Sequence, residues 1–182
     1  FSLYIEKERK NRERKKKMIT TLLMTAMLAA TLVILTGCGS EDSGASCREI
    51  LDGCKKIAPE GSFDTLVSYG EELYDDSFDN LYGIQFKDIS DGAILYTESG
   101  GLADEISIVC MKDNNDVQVA KQKLQERIEE RRNSFAGYKP EEVYKLDNAI
   151  VIIQGNYAAL IISDDNEGFE AEIRRIISEG AE

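Results

Sequence analysis

Apolar and polar residues alternate along this chain with three rhythms, and each predicts a different element. Cys47, Ile50, Leu51, Cys54, Ile57 and Ala58 recur at i, i+3, i+4, i+7 spacing, which is one face of a helix. Ser46-Cys47-Arg48-Glu49 opens it as a capping box, and Pro59 and Gly61 end it. The same period returns in Val117, Ala120, Leu124 and Ile128. It predicts a long helix capped by Asp113 or Asn114 and running to about Phe135, with a solvated face of Lys, Gln, Glu and Arg. A last helix follows a cap within Ser163–Asn166. Its stripe is Phe169, Ile173, Ile176 and Ile177, and Gly180 lies beyond its end.

Shorter runs of β-branched residues follow the second rhythm. Gly92–Thr97 and Glu105–Met111 are expected as strands joined across Ser99-Gly100-Gly101, with Ile106, Ile108 and Cys110 on one face. Ala149–Ile153 and Tyr157–Ile162 flank Gln154-Gly155-Asn156, a hairpin signal. Both are nearly all apolar, so both are expected to be central strands covered on two faces or by a partner. "SFDTLVSY" (62–69) and "SFDNLYGI" (77–84) are expected as short helical turns. The order helix, hairpin–helix, hairpin–helix predicts an α+β domain, an antiparallel sheet of about four strands packed with helices. Ile108–Asp116 and Leu160–Glu167 both run from an apolar strand through Asp and Asn into a helix. An internal duplication would make residues 92–135 and 149–179 superpose with the same hand; the plainer reading is that any strand-to-helix turn favours Asp and Asn.

The third rhythm is no rhythm at all. Met18 to Ser40 runs 23 residues without a charge, behind the basic cluster Lys15-Lys16-Lys17. That run is long enough for a transmembrane helix, but five threonines weaken it. Its ending, Leu35-Thr36-Gly37-Cys38, is similar to the lipobox of bacterial lipoprotein signal peptides, and the segment before it has the basic and apolar parts of a secretory signal. The resemblance implies cleavage between Gly37 and Cys38 and a diacylglyceryl lipid on the Cys38 thiol, two acyl chains being enough for stable anchoring. Residues 1–37 are then an N-terminal extension and signal peptide, absent from the mature protein. Residues 38–46 are the lipidated Cys and a flexible tether of about 25 Å at full stretch, and residues 47–182 form one acidic domain.

Charge divides the chain at the same point. Residues 1–37 carry eight Lys/Arg and three Asp/Glu, and the remainder carries 14 basic against 31 acidic groups, a net of −17. Such a domain is repelled by nucleic acid and by bare anionic lipid. Solubility alone accounts for the acidity, and a cationic partner is the sharper reading.

The chain has no His and no Trp. A Ser-His-Asp triad, a Cys-His dyad and an HExxH zinc site are therefore excluded. No cofactor motif is present. Asp75-Asp76-Ser77-Phe78-Asp79-Asn80 is similar to the start of a calcium loop but lacks the glycine at position six and the glutamate at twelve, which leaves a capped, exposed turn and no metal site. Gly155-Asn156-Tyr157 and Ser163-Asp164-Asp165 bracket one strand, so they are expected to serve as a turn and a helix cap rather than as one site. Cys47, Cys54 and Cys110 all lie on apolar faces, and buried thiols are the expectation. A disulfide, if formed, joins Cys110 to Cys47 or to Cys54, because seven residues of helix hold the latter two about 10.5 Å apart.

A resemblance covers about residues 70–180. "ADEISIV" (103–109), "LQERIEERRNSF" (124–135), "YKPEEVYKLDNAIVIIQGNY" (138–157) and "SDD" (163–165) resemble small lipoproteins of Gram-positive bacteria grouped as domain-of-unknown-function family 4358. Asn148-Ala149, Gly155-Asn156-Tyr157 and Ser163-Asp164-Asp165 carry it most specifically; Cys47 and Cys54 lie outside it. The resemblance brings no activity and no catalytic residues. The expected function is that of a membrane-anchored, extracytoplasmic lipoprotein, a non-catalytic binding or assembly module of the cell envelope with an envelope protein or cationic partner. The alternative is an envelope enzyme working through carboxylates without histidine.

Overall fold

Seven consecutive residues, Glu105–Met111, are all buried, although strand side chains point alternately to two faces. Both faces of the sheet at this strand must therefore be covered. The computed structural model describes residues 44–181, apart from the side chains at positions 72, 73 and 75–77. In chain order it contains α1 (Cys47–Ile57), β1 (Thr65–Ser68), α2 (Glu72–Tyr82), β2 (Ile89–Tyr96), β3 (Glu105–Met111), α3 (Val117–Tyr138), α4 (Val143–Asp147), β4 (Ile150–Gln154), β5 (Tyr157–Ile162) and α5 (Asn166–Glu179). The class is α+β, with a five-stranded sheet in the order β1-β2-β3-β5-β4 and every neighbouring pair antiparallel.

Helices cover both faces. On the first, Ile94, Val109, Leu160 and Ile162 pack against Tyr74, Phe78 and Tyr82 of α2, Val117, Ala120, Leu124, Ile128 and Phe135 of α3, and Leu146 of α4. On the second, Ala93, Leu95, Ile106, Ile108, Ala159 and Ile161 pack against Cys47, Ile50, Leu51 and Cys54 of α1 and Phe169, Ile173 and Ile177 of α5. Burying each of these large side chains contributes roughly 1.5–3 kcal/mol, so the two helical layers hold the sandwich together. Gly53 lets α1 approach α5: a Cβ there would stand 2.3 Å from Ile176 Cδ1.

Both expected hairpins and all three expected helical stripes are present. The capping box of α1 is complete, with Ser46 Oγ accepting from the Glu49 N–H (3.3 Å) and Glu49 Oε2 accepting from the Ser46 N–H (3.0 Å). Ile57 departs from its stripe and is exposed, because the helix ends there and Ala58 turns away in extended geometry.

Several expectations are corrected. Residues Thr65–Ser68 are not a helical turn but a fifth strand, drawn into the sheet by pairing Leu66 with Leu95 and Val67 with Ile94. β4 is not central: it is an edge strand, and its apolar residues other than Ile152 are half-buried, while β5 beside it is buried from Ala158 to Ile162. Asp75–Asn80 is not a capped, exposed turn but lies inside α2 with Phe78 buried, although the side chains of Asp75, Asp76 and Ser77 are outside the described residues. The tether expected to run to Ser46 stops earlier, since Ala45 accepts a hydrogen bond from the Tyr157 hydroxyl (2.8 Å) and packs against Gly180.

The internal duplication also fails. A half-turn about the sheet normal superimposes β2–β3 on β4–β5 and leaves each face where it was. Yet α3 covers the first face and α5 the second, so the two hairpin–helix units have opposite hands.

Candidate functional site

Two acids, Asp104 and Glu105, stand at the mouth of the fully buried strand β3 and are themselves 2% exposed. A carboxylate taken out of water must find cations or donors, and each does so on a different face. Glu105 turns to the first face, where Arg127 and Arg131 of α3 each reach its Oε2 at 3.1 Å and the Tyr82 hydroxyl donates to its Oε1 at 2.7 Å. Burial would raise this carboxyl, but the charges of Arg131 and Arg127 outweigh it and hold the group below its ordinary value. The cluster is closed and ties α2 and α3 to the sheet.

Asp104 lies on an open cleft of about 380 Å³ at this same end of the sheet. Its floor is the Lys145 ammonium, which contacts Asp104 Oδ2 at 2.7 Å, Glu142 Oε2 at 3.1 Å and Asp164 Oδ2 at 3.5 Å. Lys145 is 4% exposed. The short helix α4 and the turn Pro140–Glu142 before it set Glu142 and Lys145 three residues apart on one face. Desolvation works against the ammonium, but the hydrogen bonds and charges of Asp104 and Glu142 offset it and raise its pKa above the ordinary lysine value. Burial raises Asp104 in turn, beyond what Lys145 restores.

The rest of the cleft is half apolar and half acidic. Pro59, Phe63, Leu102 and Phe169 form its apolar wall, and Glu60, Asp164 and Asp165 its acidic rim. The Tyr144 hydroxyl donates to Asp164, and that bond raises the phenol above its ordinary value. Five carboxylates therefore face one lysine, itself already paired. Among the described residues no group of three or more carboxylates and thiols is arranged to hold a metal ion.

The expected roles of the two short motifs hold. Gly155 takes a positive φ of 56° in the two-residue turn, and the Asp165 side chain caps α5 by accepting from the Gly168 N–H (3.0 Å). They lie at opposite ends of β5, about 17–20 Å apart. Asp164 and Ser163 take on a further part, lining the cleft. Cys47, Cys54 and Cys110 are buried and none is disulfide-bonded. Cys38, the expected lipidation site, lies outside the described residues.

The model of the family described as "Domain of unknown function (DUF4358)" matches residues 68–163. The chain belongs to this family. The match runs from Ser68, the last residue of β1, to Ser163 and takes in Asp104, Glu142, Tyr144 and Lys145, but not the α1 and α5 helices that close the second face of the sheet. No curated protein and no solved structure matches the chain.

Sequence reasoning did not single out Asp104, Glu142, Tyr144 or Lys145. A signal for Asp104 was available: acids placed directly before a strand too apolar to have a wet face are committed to buried partners. Lys145 carries a weaker one, its i, i+3 spacing from Glu142.

Proposed function

We propose that this DUF4358 protein is a non-catalytic binding module of the cell envelope, held at the extracytoplasmic face of the membrane by a diacylglyceryl lipid on Cys38, and that the cleft at its far end docks a cationic group of an envelope partner. One observation carries the reading. The chain enters the domain at Ala45, beside Tyr157 and Cys110, while the cleft opens beside Asp104 and Ser163, at the other ends of the same two strands. Residues 39–44 between the lipid site and that entry reach at most about 20 Å. A domain hung this way turns its entry end to the bilayer and its cleft outward. Among the described residues no helix is long and apolar enough to cross a membrane.

The chemistry of the cleft favours binding over catalysis. A general acid or base must exchange a proton with substrate, and the buried Asp104 carboxylate is committed to Lys145. Lys145, gripped by three carboxylates, is neither a nucleophile nor a base. What remains is an acidic rim above an apolar wall, which suits a primary amine on an aliphatic stem.

The test uses the full-length protein in detergent micelles with tetralysine as the probe. Calorimetric binding should weaken as salt rises and fall at least fivefold in the Glu60→Gln/Asp164→Asn variant, and the amine-acetylated peptide should not bind. Equal binding by the variant would refute the cleft as the site. Hydrolysis of wall glycan or peptide by the protein alone would establish the enzyme alternative. Intact mass of native material tests the anchor, and an unmodified Cys38 thiol still joined to residues 18–37 would refute it.

A further inference from the structure

Three adjacent strands set Asp91, Cys110 and Tyr157 in one row, since Cys110 is the register partner of both others. The first residue of α1 sits on that row. The Cys47 backbone N–H donates to Asp91 Oδ2 at 2.6 Å. The Cys47 thiol lies beside the Cys110 backbone and sulfur, and the Tyr157 hydroxyl, which also bonds the Ala45 carbonyl, lies near both cysteines. Cys54, two turns further along α1, faces away toward Glu172 of α5. The spacing of the cysteines left two pairings open, and the packing of α1 distinguishes them.

We infer that Cys47 and Cys110 are a matched pair that closes to a disulfide on oxidation and leaves Cys54 as a thiol. The closure links the point where the chain enters the domain to the central strand of the sheet. It spans a loop of 62 intervening residues, long enough for a cross-link to restrict the unfolded chain substantially. The oxidant is an external disulfide of the glutathione or thiol-oxidase class. The two cysteines give up two electrons and two protons; their sulfurs join while the S–S bond of the oxidant breaks and leaves as two thiols. Burial, with the Asp91 charge next, raises the Cys47 thiol well above its ordinary value. Attack by thiolate therefore belongs to the folding chain, before α1 docks. After docking the same burial shields the bond.

The experiment needs no membrane, so it stands apart from the anchoring proposal. The purified full chain is unfolded, reduced and refolded in a glutathione redox buffer, then alkylated under denaturing conditions and mapped by peptide mass. The expected result is a Cys47–Cys110 cross-linked peptide, lighter by two hydrogens than its parts, with Cys54 alkylated. The Cys54→Ala variant should form the same cross-link, and Cys47→Ser should leave Cys110 alkylated. Alkylation of Cys47 and Cys110 in the refolded wild type, a link through Cys54, or a link between chains would overturn the pairing.

Discussion

The Lys145 ammonium and the Asp104 carboxylate meet at 2.7 Å with both side chains almost wholly out of water. Neither is tolerable alone. Removing one partner of such a pair leaves an uncompensated buried charge, at a cost of about 3–5 kcal/mol, whereas the intact pair adds little over an apolar replacement. Lys145→Met should therefore lower unfolding stability by about 3 kcal/mol or more in urea titration. Asp104→Asn should cost less, because Glu142 and Asp164 still hold the lysine. Equal losses would mean that Asp104 alone compensates the charge.

The closed cluster around Glu105 predicts acid sensitivity. Its folded pKa lies below the ordinary value of 4.5, so the stability it contributes is present above that value and is lost as pH falls through the folded pKa. Denaturation midpoints measured from pH 7 down to 3 should drop below pH 4.5, and Glu105→Gln should flatten that part of the profile. Lys145 acts at the other end. Its pKa is raised above 10.5, so its contribution persists up to that pH and is lost only as pH climbs through the folded value.

Gly92 lies under an aromatic ring. A Cβ at this position would stand 1.8 Å from the hydroxyl oxygen of Tyr74, which is fully buried. Gly92→Ala should destabilise the domain by about 1–3 kcal/mol through overpacking. Pairing it with Tyr74→Phe should recover part of the loss, and thermal melts of the single and double variants decide the matter.

The Tyr157 hydroxyl holds Ala45 in place. Tyr157→Phe should cost about 1 kcal/mol and speed amide hydrogen exchange at Ala45 and Ser46 while leaving the centre of β3 unchanged. Unaltered exchange at Ala45 would show that packing against Gly180 is sufficient by itself.

Local signals made most of the architecture legible. Glu105–Met111 and Tyr157–Ile162 have the boundaries that the apolar runs give, and Ser46 with Glu49 caps α1 as its motif requires. What eluded the pattern depends on neighbours distant in sequence. Thr65–Ser68 carries only four residues of strand character and becomes a strand because β2 offers an open edge. β4 is as apolar as β5, yet its place at the rim follows from the pairing of β5 with β3, which no local period reports. The cleft was hidden for the same reason: Asp104, Lys145 and Asp164 lie on three separate segments, and their charges become informative only once the fold encloses them.

The pairing of α1 with α5 on the second face has a consequence in time. A chain emerges N-terminus first, so α1 appears more than 100 residues before α5. Until then Ile50, Leu51 and Cys54 lack the Phe169, Ile173 and Ile177 side that completes their core. The half of the sheet bearing β2 and β3 can form its hairpin early, but the second face cannot close before the final helix arrives. The domain is thereby kept open, and threadable, until α5 has been made.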